Sequence, residues 1–139
     1  MPFFGKGFST RLLLLCLLLM NMAFACKKNP LEDIVNIVWL HSHEEDRDGL
    51  KAYRPEDYKF KPSRGRTGFK LLTNDTFIAY LIAPNDTRNE QNGIWRITQD
   101  GRAIILEAVG GGRSGNIARR VEFISLQDGL LMVRETELN

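Results

Sequence analysis

Short runs of β-favouring residues recur along this chain at even spacing, each closed by a cluster of turn formers, and that rhythm constrains the fold more than any other feature. The runs lie near residues 37–42, 58–61, 68–72, 76–83, 93–98, 102–108, 119–126 and 130–135. Between them stand Thr73-Asn74-Asp75, Pro84-Asn85-Asp86, Gln99-Asp100-Gly101 and Gln127-Asp128-Gly129, all good turn material. Two of these contain Asp-Gly flanked by apolar alternation, a short-range hairpin signal. The stretches 43–57 and the Gly-rich 110–115 read as longer loops, the second expected to be flexible because glycine restricts the backbone so little. The pattern predicts an all-β domain: a single eight-stranded antiparallel up-and-down meander. A closed barrel is favoured because closure removes the two exposed edges of a flat sheet.

Alternation within the runs assigns faces. In 76–83, Phe77, Ala79 and Leu81 share one face, while Ile78, Tyr80 and Ile82 make the other apolar as well. A strand of that kind meets the core on one side and a loop, helix or ligand on the other, so Tyr80 is a candidate contact residue. In 119–126, Val121 and Phe123 alternate with Arg120 and Glu122, the pattern of a strand wet on one side. Phe69, Phe77, Trp95, Ile105 and Phe123 are the expected filling. An eight-stranded barrel is wide enough to be filled by side chains or to hold one small ligand, and a small or absent cavity is expected here.

The first 26 residues, MPFFGKGFSTRLLLLCLLLMNMAFAC, carry Lys6 and Arg11 ahead of an apolar run from Leu12 to Leu19 broken only by Cys16. This is the layout of a secretory signal peptide, with an apolar core too short to span a bilayer. Ala23-Phe24-Ala25 before Cys26 resembles the lipobox of bacterial lipoproteins, which implies lipidation of Cys26 as the mature N-terminus. Ala23 and Phe24 depart from the usual lipobox residues, and the same triplet also reads as an A-x-A site for the general signal peptidase. A diacylated cysteine supplies two acyl chains, enough for stable anchoring to a membrane. The division expected is a signal peptide at 1–25, a tether at 26–33 and a barrel domain at 34–139, localised to the bacterial cell envelope and facing periplasm or exterior.

Removing residues 1–25 leaves 114, enough for one small domain with a modest core. Cys16 leaves with the signal and Cys26 stands alone, so no intrachain disulfide is available. The mature chain balances 17 basic against 17 acidic residues, which argues against nucleic acid as a partner. No segment of 27–139 reaches transmembrane length.

Asn36-Ile37-Val38-Trp39 after a short helical turn at 31–35 resembles the Gly-x-Trp opening of lipocalin-like domains, with Asn36 where the family has glycine. Asn92-Gly93-Ile94-Trp95 resembles the Gly-x-Trp strand found midway along small bacterial lipocalin-like proteins, and 123–134 resembles their closing hairpin. The resemblance covers about residues 34–135. It implies a calycin-type barrel in which Trp39 and Trp95 are structural, and in which Arg134 on the last strand packs over Trp39.

Two clusters are candidates for chemistry. His41-Ser42-His43-Glu44-Glu45-Asp46 holds both histidines of the sequence. On a strand, His41 and His43 would point the same way and, with an acid, make a weak metal candidate. The alternative is a strand end followed by a solvated acidic turn, with no metal and no cofactor. Ser63-Arg64-Gly65-Arg66-Thr67-Gly68 lacks phosphate-loop spacing yet offers donors suited to a carboxylate or phosphate. Arg64 and Arg66 either contact a ligand or partner from an exposed turn, or pair with Glu44, Glu45 or Asp46 in one surface network. Nothing resembles a nucleophile elbow, and the expectation is a non-enzyme. Asn74-Asp75-Thr76 and Asn85-Asp86-Thr87 fit the glycosylation sequon, though a bacterial lipoprotein would not ordinarily use it. The functional expectation is an envelope lipoprotein binding a small apolar or amphipathic ligand. The alternative is a protein-interaction or inhibitor module with a filled barrel.

Overall fold

Alternation and turn chemistry together produce eight strands: β1 (Val38–His41), β2 (Lys51–Pro55), β3 (Gly68–Leu71), β4 (Thr76–Ile82), β5 (Arg88–Ile97), β6 (Ala103–Ala108), β7 (Ala118–Gln127) and β8 (Leu130–Leu138). The computed structural model describes residues 31–108 and 118–138; the expected signal peptide, Cys16, Cys26 and the Gly-rich stretch 110–115 expected to be a loop lie outside the described residues. All neighbouring strands are antiparallel, and the sheet closes in the order β1-β2-β8-β7-β6-β5-β4-β3. The fold is a closed, all-β, eight-stranded barrel. Its strands from β3 to β8 form an uninterrupted meander.

One strand lies where the sequence pattern does not place it. β2 occupies Lys51–Pro55, inside the stretch expected to be a loop, and residues 58–61 belong to a connection. The cause is a third Asp-Gly pair. Asp48 and Gly49 take φ of 52° and 73°, turning the backbone so that Arg47 and Leu50 bridge and β2 runs back along β1. The strand expected at 93–98 also begins earlier, at Arg88, because β4 supplies paired positions as far as Ile82.

The barrel order has a topological consequence. β2 and β3 lie on either side of β1 and both run against it. Residues 56–67 must therefore return along the barrel from the level of Val38, where Glu56 N–H donates to its carbonyl, to the level of His41, whose N–H donates to Thr67. This strap crosses the outer face of β1. It shares a surface hollow with the outward-facing Leu40 and with Ile82 of β4.

Hydrophobic filling is concentrated at one end. Trp39, Leu71, Phe77, Ile104, Leu131 and Val133 face inward there, and the turn at 31–36 seals the end with Leu31 and Ile34. Trp39 is 2% exposed, and its Nε1–H donates to the Ile34 carbonyl at 2.9 Å. Truncating a core tryptophan to alanine costs about 3–5 kcal/mol. Asn36 takes φ of 64° and donates its N–H to Leu71 at 2.7 Å; asparagine tolerates this left-handed conformation, so the turn forms without a glycine. Trp95 packs against the same core and donates Nε1–H to the Leu72 carbonyl. Gly93 faces inward, where a Cβ would overlap the Phe77 ring and the Glu107 carbonyl oxygen.

Two expectations about packing need correction. Arg134 does not cover Trp39: strand alternation puts Leu131, Val133 and Glu135 inside, so Arg134 faces out, 55% exposed, paired with Glu122 at 2.9 Å. Ile105 does not fill the barrel, because it lies between Arg96 and Arg120 in the register, on the outer face. The sequon-like triplets are turn devices: Thr76 and Thr87 hydroxyls donate to Asn74 and Asn85 at 2.6 and 2.7 Å, with Asp75 and Asp86 at φ of 62°.

Candidate functional site

The end of the barrel opposite the Trp39 plug is not filled. β2 starts there, β4 ends there, β7 starts there and β8 ends there. A cavity of about 360 Å³ opens at this end, walled by Phe69, Phe77, Ala79, Leu106 and Val121. Against that apolar wall stand Lys51, Tyr53, Arg119 and Glu135, all placed inside by strand alternation.

These four form one ionic group. Glu135 Oε2 accepts from Lys51 Nζ at 2.8 Å and from Arg119 Nη1 at 3.2 Å. Its Oε1 accepts the Tyr53 hydroxyl at 2.5 Å. The Glu135 side chain is 11% exposed. Burial by itself raises its pKa, but the bonds from Lys51 and Tyr53 and the charges of Lys51 and Arg119 outweigh that and hold the carboxyl below its ordinary value. Tyr53 is pushed well above its ordinary value by burial, then by the Glu135 charge and hydrogen bond, so it stays a neutral donor. Its ring stacks edge-on against Phe69 at 5.0 Å and tilts against His41 at 5.4 Å. The site thus joins an apolar wall to a fixed set of donors and one carboxylate. That combination suits binding an amphipathic molecule.

Of the residues singled out from sequence, Tyr80 lines this cavity, and the others lie elsewhere. His41 ends β1 and donates Nε2–H to both carboxylate oxygens of Asp46 at 3.0 and 2.9 Å. Asp46 in turn accepts the Ala52 N–H, pinning the β1–β2 hairpin. His43 lies beyond the strand, in the short 3₁₀ turn His43–Glu45. The two rings sit 6.3 Å apart, edge to face. Among the described residues, no three His, Cys, Asp or Glu side chains are arranged to hold a metal ion.

Arg66 is the main departure. It is not an exposed turn residue: its side chain is 6% exposed and forks onto Glu44 at 2.9 and 2.5 Å. It also donates to the His41 and Lys61 carbonyls at 2.9 Å each, reaches His43 Nδ1 at 3.4 Å and stacks over Phe60 at 4.4 Å. The hydrogen bond from Arg66 leads the causes that lower the Glu44 pKa from 4.5 to about 2. Glu45 makes the matching fork with Arg54 of β2 at 2.9 and 2.6 Å. The two sequence clusters do join, as the paired-network alternative has it, and they fasten the strap to the barrel. Arg64 is exposed on the strap. Tyr80 is 5% exposed and lies under the Arg88 guanidinium at 3.6 Å, while Arg88 pairs with Glu56 at the start of the strap.

Lys51 and Tyr53 escape a reading of the sequence together with β2 itself. The signal that points to them is Asp48-Gly49 followed by Leu50-Lys51-Ala52-Tyr53, a hairpin turn leading into alternation. Arg119 and Glu135 sit on expected strands but read as ordinary charged positions, since 82 residues separate Tyr53 from Glu135. Compared with protein-family models, with curated proteins and with solved structures, the protein matches none.

Proposed function

We propose that this protein is a lipocalin-like lipoprotein of the bacterial cell envelope, tethered through Cys26, whose barrel holds a small amphipathic ligand in its open end. The observation that carries the reading is the gradient along the barrel interior. One end is sealed by Leu31, Ile34 and Trp39; the other holds a cavity of about 360 Å³ with an apolar wall and a cluster of polar groups. That volume falls at the small end of pockets that enclose organic ligands, and such pockets pair apolar walls with a few placed polar groups.

The path of the backbone bears on how such a protein would be presented. The tether meets the barrel at its sealed end, through Leu31 and Ile34. From Cys26 to Leu31 the backbone can span at most about 18 Å, so an anchor at Cys26 would hold the sealed end towards the membrane and open the cavity away from it. A ligand would then arrive from the aqueous side.

Native mass spectrometry of the mature protein extracted from its host's membranes tests this reading. The expected result is a diacylated Cys26 and a small non-covalent adduct, with Cys26→Ser giving a product that no longer partitions into membranes. A mature protein without lipid removes the anchor. A barrel that carries no small molecule and retains a protein instead replaces the ligand reading with the interaction or inhibitor module.

A further inference from the structure

We infer that the ligand's polar end is an anion, a carboxylate held by Lys51 and Arg119 beside Glu135; this rests on the reading of the barrel as a ligand holder. A lysine ammonium has three N–H donors and an arginine guanidinium five. The bonds to Glu135 use one from each. Glu135 is in the opposite condition, with one oxygen shared by two cations and the other taken by the Tyr53 hydroxyl. The pocket therefore has donors to offer and little acceptor capacity.

Access and charge agree with that count. The Lys51 and Arg119 side chains are 44% and 37% exposed, whereas Glu135 is 11% exposed. A head group entering the cavity meets the cations before it meets the carboxylate. Two cations against one carboxylate leave one positive charge in excess, set against Phe69, Phe77, Leu106 and Val121, where weaker solvation strengthens an ion pair. Glu137 stands opposite Arg119 in the β7–β8 register, but it is exposed at the rim, where salt and water screen it. A singly charged carboxylate balances the excess and uses the spare donors. A cationic head finds one carboxylate already engaged by two cations, and beside it neutral oxygens such as those of Gln91 and Thr67. A neutral hydroxyl gains hydrogen bonds without the charge. The tail would lie along the apolar wall towards Phe77.

Calorimetric titration with three probes of equal tail length, decanoate, decanol and decyltrimethylammonium, each below its micelle concentration, separates these cases. Decanoate is expected to bind about tenfold or more tighter than decanol, the scale of one charge-assisted hydrogen bond, with decyltrimethylammonium weakest. Arg119→Gln should lose that preference by weakening decanoate several-fold more than decanol, and Arg119→Lys should restore part of it. Lys51 still pairs Glu135 in both variants, so the fold is not left with an uncompensated carboxylate. The wild-type ranking decides the matter even if a variant folds poorly. Equal affinity for decanoate and decanol, or an Arg119→Gln change that weakens all probes alike, overturns the anion assignment and leaves the ligand-holding barrel standing. Binding of none of the three removes both.

Discussion

Two ionic groups flank the β1–β2 hairpin and use their charges in opposite ways. On the outer wall, Arg66, Arg54 and Arg88 each close onto a glutamate, and Arg66 and Arg54 also donate to backbone carbonyls. Their guanidinium planes are covered or stacked on Phe60, Tyr58 and Tyr80. Inside the barrel, Lys51 and Arg119 converge on a single carboxylate and keep most of their donors facing a cavity. The outer group fastens the strap that the strand order requires. The inner group leaves a surplus of positive charge where a ligand can reach it. Charge density in a sequence is thus a poor guide to function: the dense clusters are the fasteners, and the candidate site is sparse.

Arg66→Ala gives the largest expected effect and is the most direct way to break this comparison. The bond to the His41 carbonyl is charge-assisted and part-buried, worth about 1.5–3 kcal/mol, and the exposed bond to the Lys61 carbonyl adds less, so the loss of stability in a urea titration should be on the order of 3 kcal/mol. Arg64→Ala, on the exposed part of the same strap, should stay within about 0.5 kcal/mol. If the two variants unfold alike, Arg66 is not a fastener and returns as a candidate contact residue.

Tyr53→Phe probes the inner group at smaller cost. It deletes the hydroxyl donor to Glu135 and keeps the ring against Phe69 and His41. The expected loss is about 1.5–3 kcal/mol, the value of a hydrogen bond to a charged group. Measured by thermal unfolding, a change near zero would mean that water replaces the hydroxyl and that the inner group is not rigid.

Acid sharpens the contrast with the smallest effect. Glu44 is held near a pKa of about 2 against an ordinary 4.5, so it titrates at lower pH folded than unfolded. Its contribution to stability is complete above pH 4.5 and is lost as pH falls towards about 2. Glu135 is also lowered and acts with the same sign. In Arg66→Ala the main cause of the Glu44 shift is gone, so unfolding free energy should fall less steeply between pH 4.5 and pH 2 than in the wild type. Parallel slopes would show that the fork is not formed in solution.

Most of the strand framework is legible in the sequence because it rests on local rules. Asp100-Gly101 and Asp128-Gly129 turn where Asp-Gly is expected to turn, and the two-sided apolar strand 76–83 does meet the core with Phe77 and a covering side chain, Arg88, with Tyr80. β2 is hidden because the acidic residues before Asp48-Gly49 disguise a hairpin as a solvated loop. The inner group is not legible at all. Lys51, Arg119 and Glu135 look like surface charges until the register decides which face each one takes.

By itself the sequence determined the class of fold: period-two alternation and left-handed turn residues act within a few positions of one another, and they specify antiparallel strands in succession. The expectation that Trp39 and Trp95 are structural comes from the resemblance, and the structure buries Trp39 fully and Trp95 in part against the core. Only the tertiary structure decided that β1 lies between β2 and β3, that residues 56–67 therefore cross the outer wall, and that Arg66 holds them there. It also decided that four polar side chains meet at one end of the barrel. The reason is that pairing partners along a closed sheet are set by register across distances of up to 82 residues, as between Lys51 and Val133, and a one-residue change of register would turn each of those side chains to the opposite face.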